Sequence, residues 1–438
     1  MKIRYQPDHI GLRRAFRRFI AAGCTVTTVL LLPVLASAQG ATTPPTRVLT
    51  LEGAIAQAFQ DSPKVDAARA GIAAAAGSER QAQAWPNPEL SFAAENFSGT
   101  GPYKGTGQAE FTYGVSQLLE LGGKREARRR AAQAAHKAAQ IDLSATERDV
   151  IRDVTVAYME TVAADESLKF ASDVEATAKR VLADVTRRVD SARDPLFQKH
   201  RAIVALTNAR IARDRAEALQ RAARQKLGRL LGNASAAHAL TGDIFYVASA
   251  PAPLSDYEAK LEHAPDLKRY AFLRDQREAD LALARAAVVP DIRANVGMRQ
   301  FAGTSEKALV AGITLPIPVL NQNQGEIARA GAEVTRVLSE RRQAQRDLAQ
   351  QLWSTWTDWQ SAWDEAKAIK ETALPEAETA FQLALRGYRA GGFQYLDVLE
   401  AQRAFFETRT NMVAALSRLH AARADVERLA ATDIAGTK

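Results

Sequence analysis

The sequence is poor in the residues that build reactive centres. Its 438 residues include one cysteine, four methionines and six histidines. The cysteine is Cys24, ahead of a candidate cleavage motif, so the chain beyond it has no disulfide and no thiolate site. His136, His200, His238, His263 and His420 lack metal-ligand spacing, and Met159, Met298 and Met412 form no thioether ladder for copper. No catalytic constellation appears, which argues against an enzyme and predicts no cofactor. Beyond position 38, no apolar run is long enough for a membrane helix, so any contact with a bilayer must be made by strands. The stretch 124–194 contains neither glycine nor proline and is rich in alanine.

The segment 1–38 reads as an export signal. Arg13, Arg14, Arg17 and Arg18 form a basic region, Phe19–Leu35 is apolar, and Ala36-Ser37-Ala38 is a small-x-small motif. Cleavage between Ala38 and Gln39 is expected. An uncleaved anchor and lipidation at Cys24 are the alternatives, the latter disfavoured because the apolar stretch mostly follows the cysteine. The segment holds six Lys/Arg and one Asp, so the net charge of +8 falls to about +3 without it. The basic balance is therefore no argument for nucleic-acid binding.

What remains repeats itself at an offset that stays between 200 and 204. Ser62-Pro63 is echoed by Ala264-Pro265, Trp85-Pro86 by Val289-Pro290, and Leu196 by Leu396. The turn Gly122-Gly123 leading into Lys124-Arg125-Glu126-Ala127-Arg128 is echoed by Gly325-Glu326-Ile327-Ala328-Arg329. The shared order of weak landmarks indicates duplication. It divides the chain into a leader at 1–38, a first repeat at 39–228, a linker region at 229–253 and a second repeat at 254–438.

Each repeat predicts a short helix, a second helix starting at proline, two strands and two long helices. The long helices fall at about 123–190 and 195–228, then at about 325–386 and 393–430. A helix over 124–190 would reach about 100 Å. Ile151, Val154 and Tyr158, then Val174, Val181 and Val185, then Leu352, Trp356, Trp359 and Trp363 recur at coiled-coil spacing. The Trp353, Trp356, Trp359 and Trp363 group reads as core packing, not as a ligand box. Turns at Asp190–Pro195 and Gly387–Gly392 reverse the chain, so each repeat ends in an antiparallel hairpin.

The strands, at about 88–97, 107–117, 291–301 and 307–316, alternate with period two. Leu90, Phe92 and Ala94 share a face, as do Phe111, Tyr113 and Val115, then Ile292, Ala294, Val296 and Met298, then Leu309, Ala311, Ile313 and Leu315. Glu110, Thr112 and Ser116, and Arg293, Asn295 and Arg299, lie opposite. A soluble sheet with one wet face fits this pattern, and so do membrane-crossing strands; the export signal favours the latter. Four strands cannot close a barrel, so other copies must complete it. Two copies give eight strands and three give twelve.

The duplicated plan, with Gly387-Tyr388-Arg389-Ala390-Gly391-Gly392-Phe393-Gln394-Tyr395-Leu396-Asp397-Val398-Leu399-Glu400-Ala401-Gln402, resembles the TolC-like outer-membrane efflux proteins. Leu119-Glu120-Leu121-Gly122-Gly123-Lys124-Arg125 is similar to their cobalt-zinc-cadmium branch. The resemblance implies a mainly α protein with a membrane β-barrel portion. Each chain would give four transmembrane strands, and long antiparallel helices would form an α-barrel in the periplasm. It implies a homotrimer, a periplasmic adaptor, an inner-membrane proton-driven pump of the resistance-nodulation-division type, outer-membrane lipid around the strands, and heavy-metal cations as cargo. The outlet of a drug or type I protein exporter is the alternative function, followed by a periplasmic coiled-coil adaptor.

Asp397 and Glu400 stand at i and i+3 on one helix face just after the second turn. With Tyr388 they are the expected periplasmic gate, since the family places acidic residues and a tyrosine there. Phe393 stands where a basic partner occurs in the family, which leaves a salt-bridge latch in doubt. Two solvated carboxylates are the plainer account of the pair. Arg193, Asp194, Arg389, Gly391 and Gly392 are expected adaptor-docking tips, although Gly and Pro there also serve simply to reverse the chain. Gly122, Gly123 and Lys124 mark the strand-helix junction.

Overall fold

The computed structural model describes residues 48–232 and 239–431. Cys24, the proposed cleavage site at Ala38 and Gln39, and His238 lie outside them. The first repeat runs α1 (Leu51–Gln60), α2 (Pro63–Gln83), β1 (Glu89–Glu95), β2 (Glu110–Leu119), α3 (Lys124–Asp190) and α4 (Leu196–Leu230). The second runs α5 (Leu254–Leu261), α6 (Pro265–Ala286), β3 (Ile292–Phe301), β4 (Lys307–Thr314), α7 (Gln324–Ala368), α8 (Leu374–Ala390) and α9 (Tyr395–Leu429). A π-helical turn, Ile369–Ala373, joins α7 to α8.

The duplication is sharper in three dimensions than in the sequence. Helix α3 has 67 residues, and α7, the π turn and α8 together occupy 324–390, the same length displaced by 200. Helices α4 and α9 have 35 residues each. Helix α3 starts after Gly123 and α7 after Asn323, both left-handed, at φ 78° and 58°. The structural counterpart of the Gly122-Gly123 turn is therefore Asn323, not Gly325. Asparagine visits this conformation more readily than most residues, and here its side chain also donates across to the Ala284 carbonyl of α6 at 2.7 Å.

Composition implies that the second turn starts at Gly387, yet α8 continues to Ala390. Gly387 lies inside the helix, and the absence of a Cβ there leaves room for the Phe393 ring. The second long helix also passes through Pro375, whose ring cannot fit under a regular helical ladder. The π turn just before it widens the ladder and accommodates the proline.

The four strands form one antiparallel sheet in the order β1-β2-β3-β4. The register aligns Leu90, Val115, Val296 and Ala311 in one row and Phe92, Tyr113, Met298 and Leu309 in the next. One face is thus apolar and open, with Leu90 87% and Leu309 85% exposed. The opposite face is polar: Arg299 pairs with Glu95 at 3.1 Å and Glu110 at 2.9 Å, and Arg293 pairs with Glu89. This inverts the usual economy of a water-soluble sheet, in which apolar faces are covered. No helix of the described residues is long and apolar enough to cross a membrane.

The largest core lies midway along α3. Val154, Tyr158 and Val162 pack with Leu51 and Ile55 of α1, Leu227, Phe245, and Ala415 and Leu416 of α9. The buried Tyr158 hydroxyl lies 2.9 Å from the Leu49 carbonyl and accepts the Thr241 N–H at 3.1 Å. It thereby ties the first segment of the fold to the segment between repeats. Towards the sheet, Ala127, Ala131, Ala134 and Ala138 form a buried small-residue seam on α3, which lets α2 and α6 approach closely. Of the four clustered tryptophans, Trp359 is buried with Leu352, and Trp356 donates to the Ala252 carbonyl at 2.9 Å. Trp353 points outward and is 58% exposed.

Candidate functional site

Both hairpin tips lie at the end of the fold remote from the sheet, and side chains bind them together. After α3 the chain turns through Ala192 in the left-handed region, with the Arg193 and Asp194 N–H groups donating to the Arg188 carbonyl. Pro195 then caps α4. This turn swings the Asp194 carboxylate back over the last turn of α3. Arg188 donates to it twice, at 2.9 and 3.1 Å. The Tyr388 hydroxyl of α8 donates to the same carboxylate at 2.8 Å. Arg188 also donates to the Tyr388 carbonyl at 3.1 Å, and its guanidinium sits 4.6 Å from the centre of the Tyr388 ring.

The three groups shift one another. The Arg188 hydrogen bonds, against a smaller opposing effect of burial, hold the Asp194 carboxyl below the usual aspartate range. Burial, then the bond to Asp194, pushes the Tyr388 phenol up. Tyr395, packed against Tyr388, is pushed up to about 12 by burial. A second tie lies beside the first, where Asp184 of α3 pairs with Arg389 at 3.3 Å and with Arg187. Val181, Val185, Ala202, Phe381, Ala384 and Val398 form an apolar cluster around Tyr388 and Tyr395.

The residues expected at the tips therefore divide. Tyr388 and Asp194 are brought together, and Asp194 is turned inward instead of lying free at the tip. Arg193, Arg389, Gly391 and Gly392 are exposed. Gly391 is left-handed at φ 86° and ends α8, and the Gly392 N–H donates to the Gly387 carbonyl at 2.9 Å. Asp397 and Glu400 are both exposed, opposite the buried Tyr395, Val398 and Gln402. Asp397 has a local task, because its carboxylate accepts the Gln394 N–H at 2.8 Å in a capping box that starts α9. Phe393 makes no salt bridge; it packs over Gly387. Sequence reasoning missed Arg188 and Asp184. The signal for Arg188 was the repeat offset itself, because that offset carries it onto Tyr388.

At the other end of the helices, the strand-helix junction is tied by charge. Lys124 donates to Asp291 at 2.7 Å, and the Leu121 N–H donates to the same carboxylate at 3.0 Å. Arg128 grips Glu120 through two bonds at 2.5 and 2.7 Å. Gly122 is left-handed at φ 73°, and a Cβ there would lie 2.9 Å from the Val289 Cβ. Among the described residues, no three His, Cys, Asp or Glu side chains gather as metal ligands.

A sheet with a bare apolar face, mounted on helices of about 100 Å whose far tips are locked together, has the architecture of a membrane-seated conduit. The model of the outer membrane efflux protein family matches residues 54–233 and 257–432, once per repeat. The chain belongs to this TolC-like family and falls in its cobalt-zinc-cadmium resistance branch. It is 30% identical over 382 residues to the cobalt-zinc-cadmium resistance protein CzcC of Cupriavidus metallidurans, covering 87% of this chain and 90% of that one. It is 26% identical over 350 residues to the nickel-cobalt-cadmium resistance protein NccC of Alcaligenes xylosoxydans xylosoxydans, covering 77% of each. The fold is shared with the solved structure of CusC (TM-score 0.75, 19% identity, 87% of this chain and 92% of that one). It is also shared with the outer membrane protein VceC of Vibrio cholerae (TM-score 0.73, 18% identity, 87% and 96%). The protein is an outer-membrane efflux channel component with a periplasmic helical portion, and not an enzyme.

Proposed function

We propose that the chain is one protomer of a homotrimeric exit duct for divalent heavy-metal cations of the cobalt, zinc and cadmium type. An inner-membrane proton-driven pump of the resistance-nodulation-division class would load the duct through a periplasmic adaptor. The observation that carries this reading is the Asp194–Arg188–Tyr388 network, which ties the two hairpins of one chain at the end remote from the membrane. A duct must be closed there when no pump is attached, and these bonds supply closure without a covalent link. Asp397 and Glu400, exposed beside the network, would face the lumen of the assembled tube and favour cations over anions. Arg193, Arg389, Gly391 and Gly392 would meet the adaptor, and Asp194 would pass the signal of docking to Tyr388. The relatives named for metal resistance support the choice of cargo.

Two measurements test this. A deletion strain should lose tolerance to cobalt, zinc or cadmium; unchanged metal tolerance with lost export of a drug or protein would transfer the duct to another cargo. In planar bilayers, Asp397→Ala with Glu400→Ala should weaken cation selectivity. Selectivity equal to that of the unaltered channel would remove both residues from the lumen.

A further inference from the structure

At the foot of the sheet the apolar face does not end with the strands. Leu119 at the end of β2, and Leu121, Leu315, Ile317, Val319 and Leu320 on the segments leading into α3 and α7, are 37% to 92% exposed. Trp85, on the segment between α2 and β1, is 60% exposed. Gln117, which shares the apolar face with Val115 and Tyr113, donates to the Pro86 carbonyl at 2.9 Å. This bond places the Trp85-Pro86 segment beside that face. Lying over the Trp85 ring, 4.3 Å from its centre, is the guanidinium of Arg125.

The cations around Arg125 are accounted for. Lys124 pairs with Asp291, Arg128 with Glu120, and Arg129 and Arg130 with Glu126. Arg125 forms no ion pair with a described carboxylate and no hydrogen bond with a described residue; the indole face is its partner. With no described carboxylate to occupy them, the five N–H donors of the Arg125 fork can grip two oxygens of a phosphate. Indole rings favour the level where acyl chains meet headgroups. The aliphatic side chains named above supply the apolar surface on the acyl side of that level.

We propose that Trp85 and Arg125 form a binding site for the phosphate headgroup of an anionic phospholipid in the membrane leaflet nearer the helices. The indole lies at the acyl boundary and holds the guanidinium. Arg125 binds the phosphate, and the exposed leucines and isoleucine receive the acyl chains. The site fixes the depth at which the sheet sits and the angle at which α3 leaves the membrane. The assignment rests on the outer-membrane placement of the sheet and is independent of what passes through the duct.

The test uses the full chain, purified and reconstituted into phosphatidylcholine vesicles that carry acyl-brominated phosphatidylglycerol or acyl-brominated phosphatidylcholine. Bromine quenches nearby tryptophan, and Trp85→Phe supplies the background of the four tryptophans on α7. Trp85 should be quenched by both lipids, with a preference for the anionic one of about five-fold, the worth of one arginine at a charged surface. Arg125→Gln should abolish the preference while quenching by phosphatidylcholine persists, which also shows that the variant is folded and inserted. Inorganic phosphate, compared with chloride at equal ionic strength, should leave the preference intact. Absence of Trp85 quenching in the unaltered protein, an equal response to both lipids, a preference that survives Arg125→Gln, or its removal by inorganic phosphate would each overturn the proposal. Conductance recorded from the same preparation reads the duct separately, so the two ideas fail independently.

Discussion

Arg188 and Tyr388 occupy equivalent places in the two repeats, and they touch: the guanidinium of one lies on the ring of the other and donates to its carbonyl. Duplication produced two copies of one position, and the copies have diverged into a cation and the aromatic face that receives it. The carboxylate of Asp194 completes the arrangement by accepting from both.

Removing either partner should loosen the tips without disturbing the middle of the molecule. Tyr388→Phe deletes one hydrogen bond to a charged acceptor, about 1.5 kcal/mol, so amide exchange around 185–195 and 385–398 should quicken about tenfold. Arg188→Ala also leaves Asp194 half-buried without its cation and should quicken exchange about a hundredfold or more. Exchange around Tyr158 should stay unchanged. Equal exchange at tip and centre in both variants would remove the network from tip closure.

The pH dependence of the tips has a fixed sign. Asp194 is held below its ordinary 3.8 by Arg188. A carboxylate depressed on folding contributes stability that is fully present above its unfolded value and is lost as pH falls through the folded one. Tip exchange, corrected for its intrinsic rate, should be level from pH 5 to 8 and rise only below about pH 4. A loosening centred near neutrality would point to a different group.

The two turns solve one backbone problem with different residues. Ala192 and Gly391 both sit at positive φ, 57° and 86°. Ala192→Gly should therefore stabilise the first tip by about 0.5–1 kcal/mol, because the relief of left-handed strain exceeds the added chain entropy. Gly391→Ala should destabilise the second by about 1 kcal/mol. Denaturant titration of the two variants checks the opposite signs.

At the strand-helix junction two adjacent glycines should respond unequally to alanine. Gly123 has φ 78° and open space around its missing Cβ, so Gly123→Ala incurs only the backbone strain, about 1 kcal/mol. Gly122→Ala also drives a methyl against Val289 and the Ala286 carbonyl, adding an overpacking cost of about 1–3 kcal/mol. Thermal unfolding should order the variants accordingly; equal losses would show that Val289 yields freely.

The fold was legible where the sequence spoke through absence. The stretch 124–194, with no glycine or proline, leaves helix as the only economical state, and α3 fills nearly all of it. The strands were legible because period two separates Leu90 and Phe92 from Glu89 and Ser91 so cleanly. The second long helix was legible at about 325–386 although Pro375 lies inside it; what local pattern did not carry is the π turn at Ile369–Ala373 that lets the ladder pass the proline. The candidate site was legible in half. Tyr388 stood out as part of a glycine-rich turn, whereas Arg188 looked like any of the arginines near it. What distinguishes Arg188 is the pairing of two hairpins far apart in the chain, which local pattern does not carry.

The edges of the sheet bear on the cell's permeability. Among the described residues strands β1 and β4 each present an unpaired edge, and bare backbone donors and acceptors are excluded from lipid. A lone chain thus has no comfortable way to enter the bilayer, and a half-assembled ring has none either. Perforation and completion become the same event, so an incomplete set of subunits leaves the barrier intact.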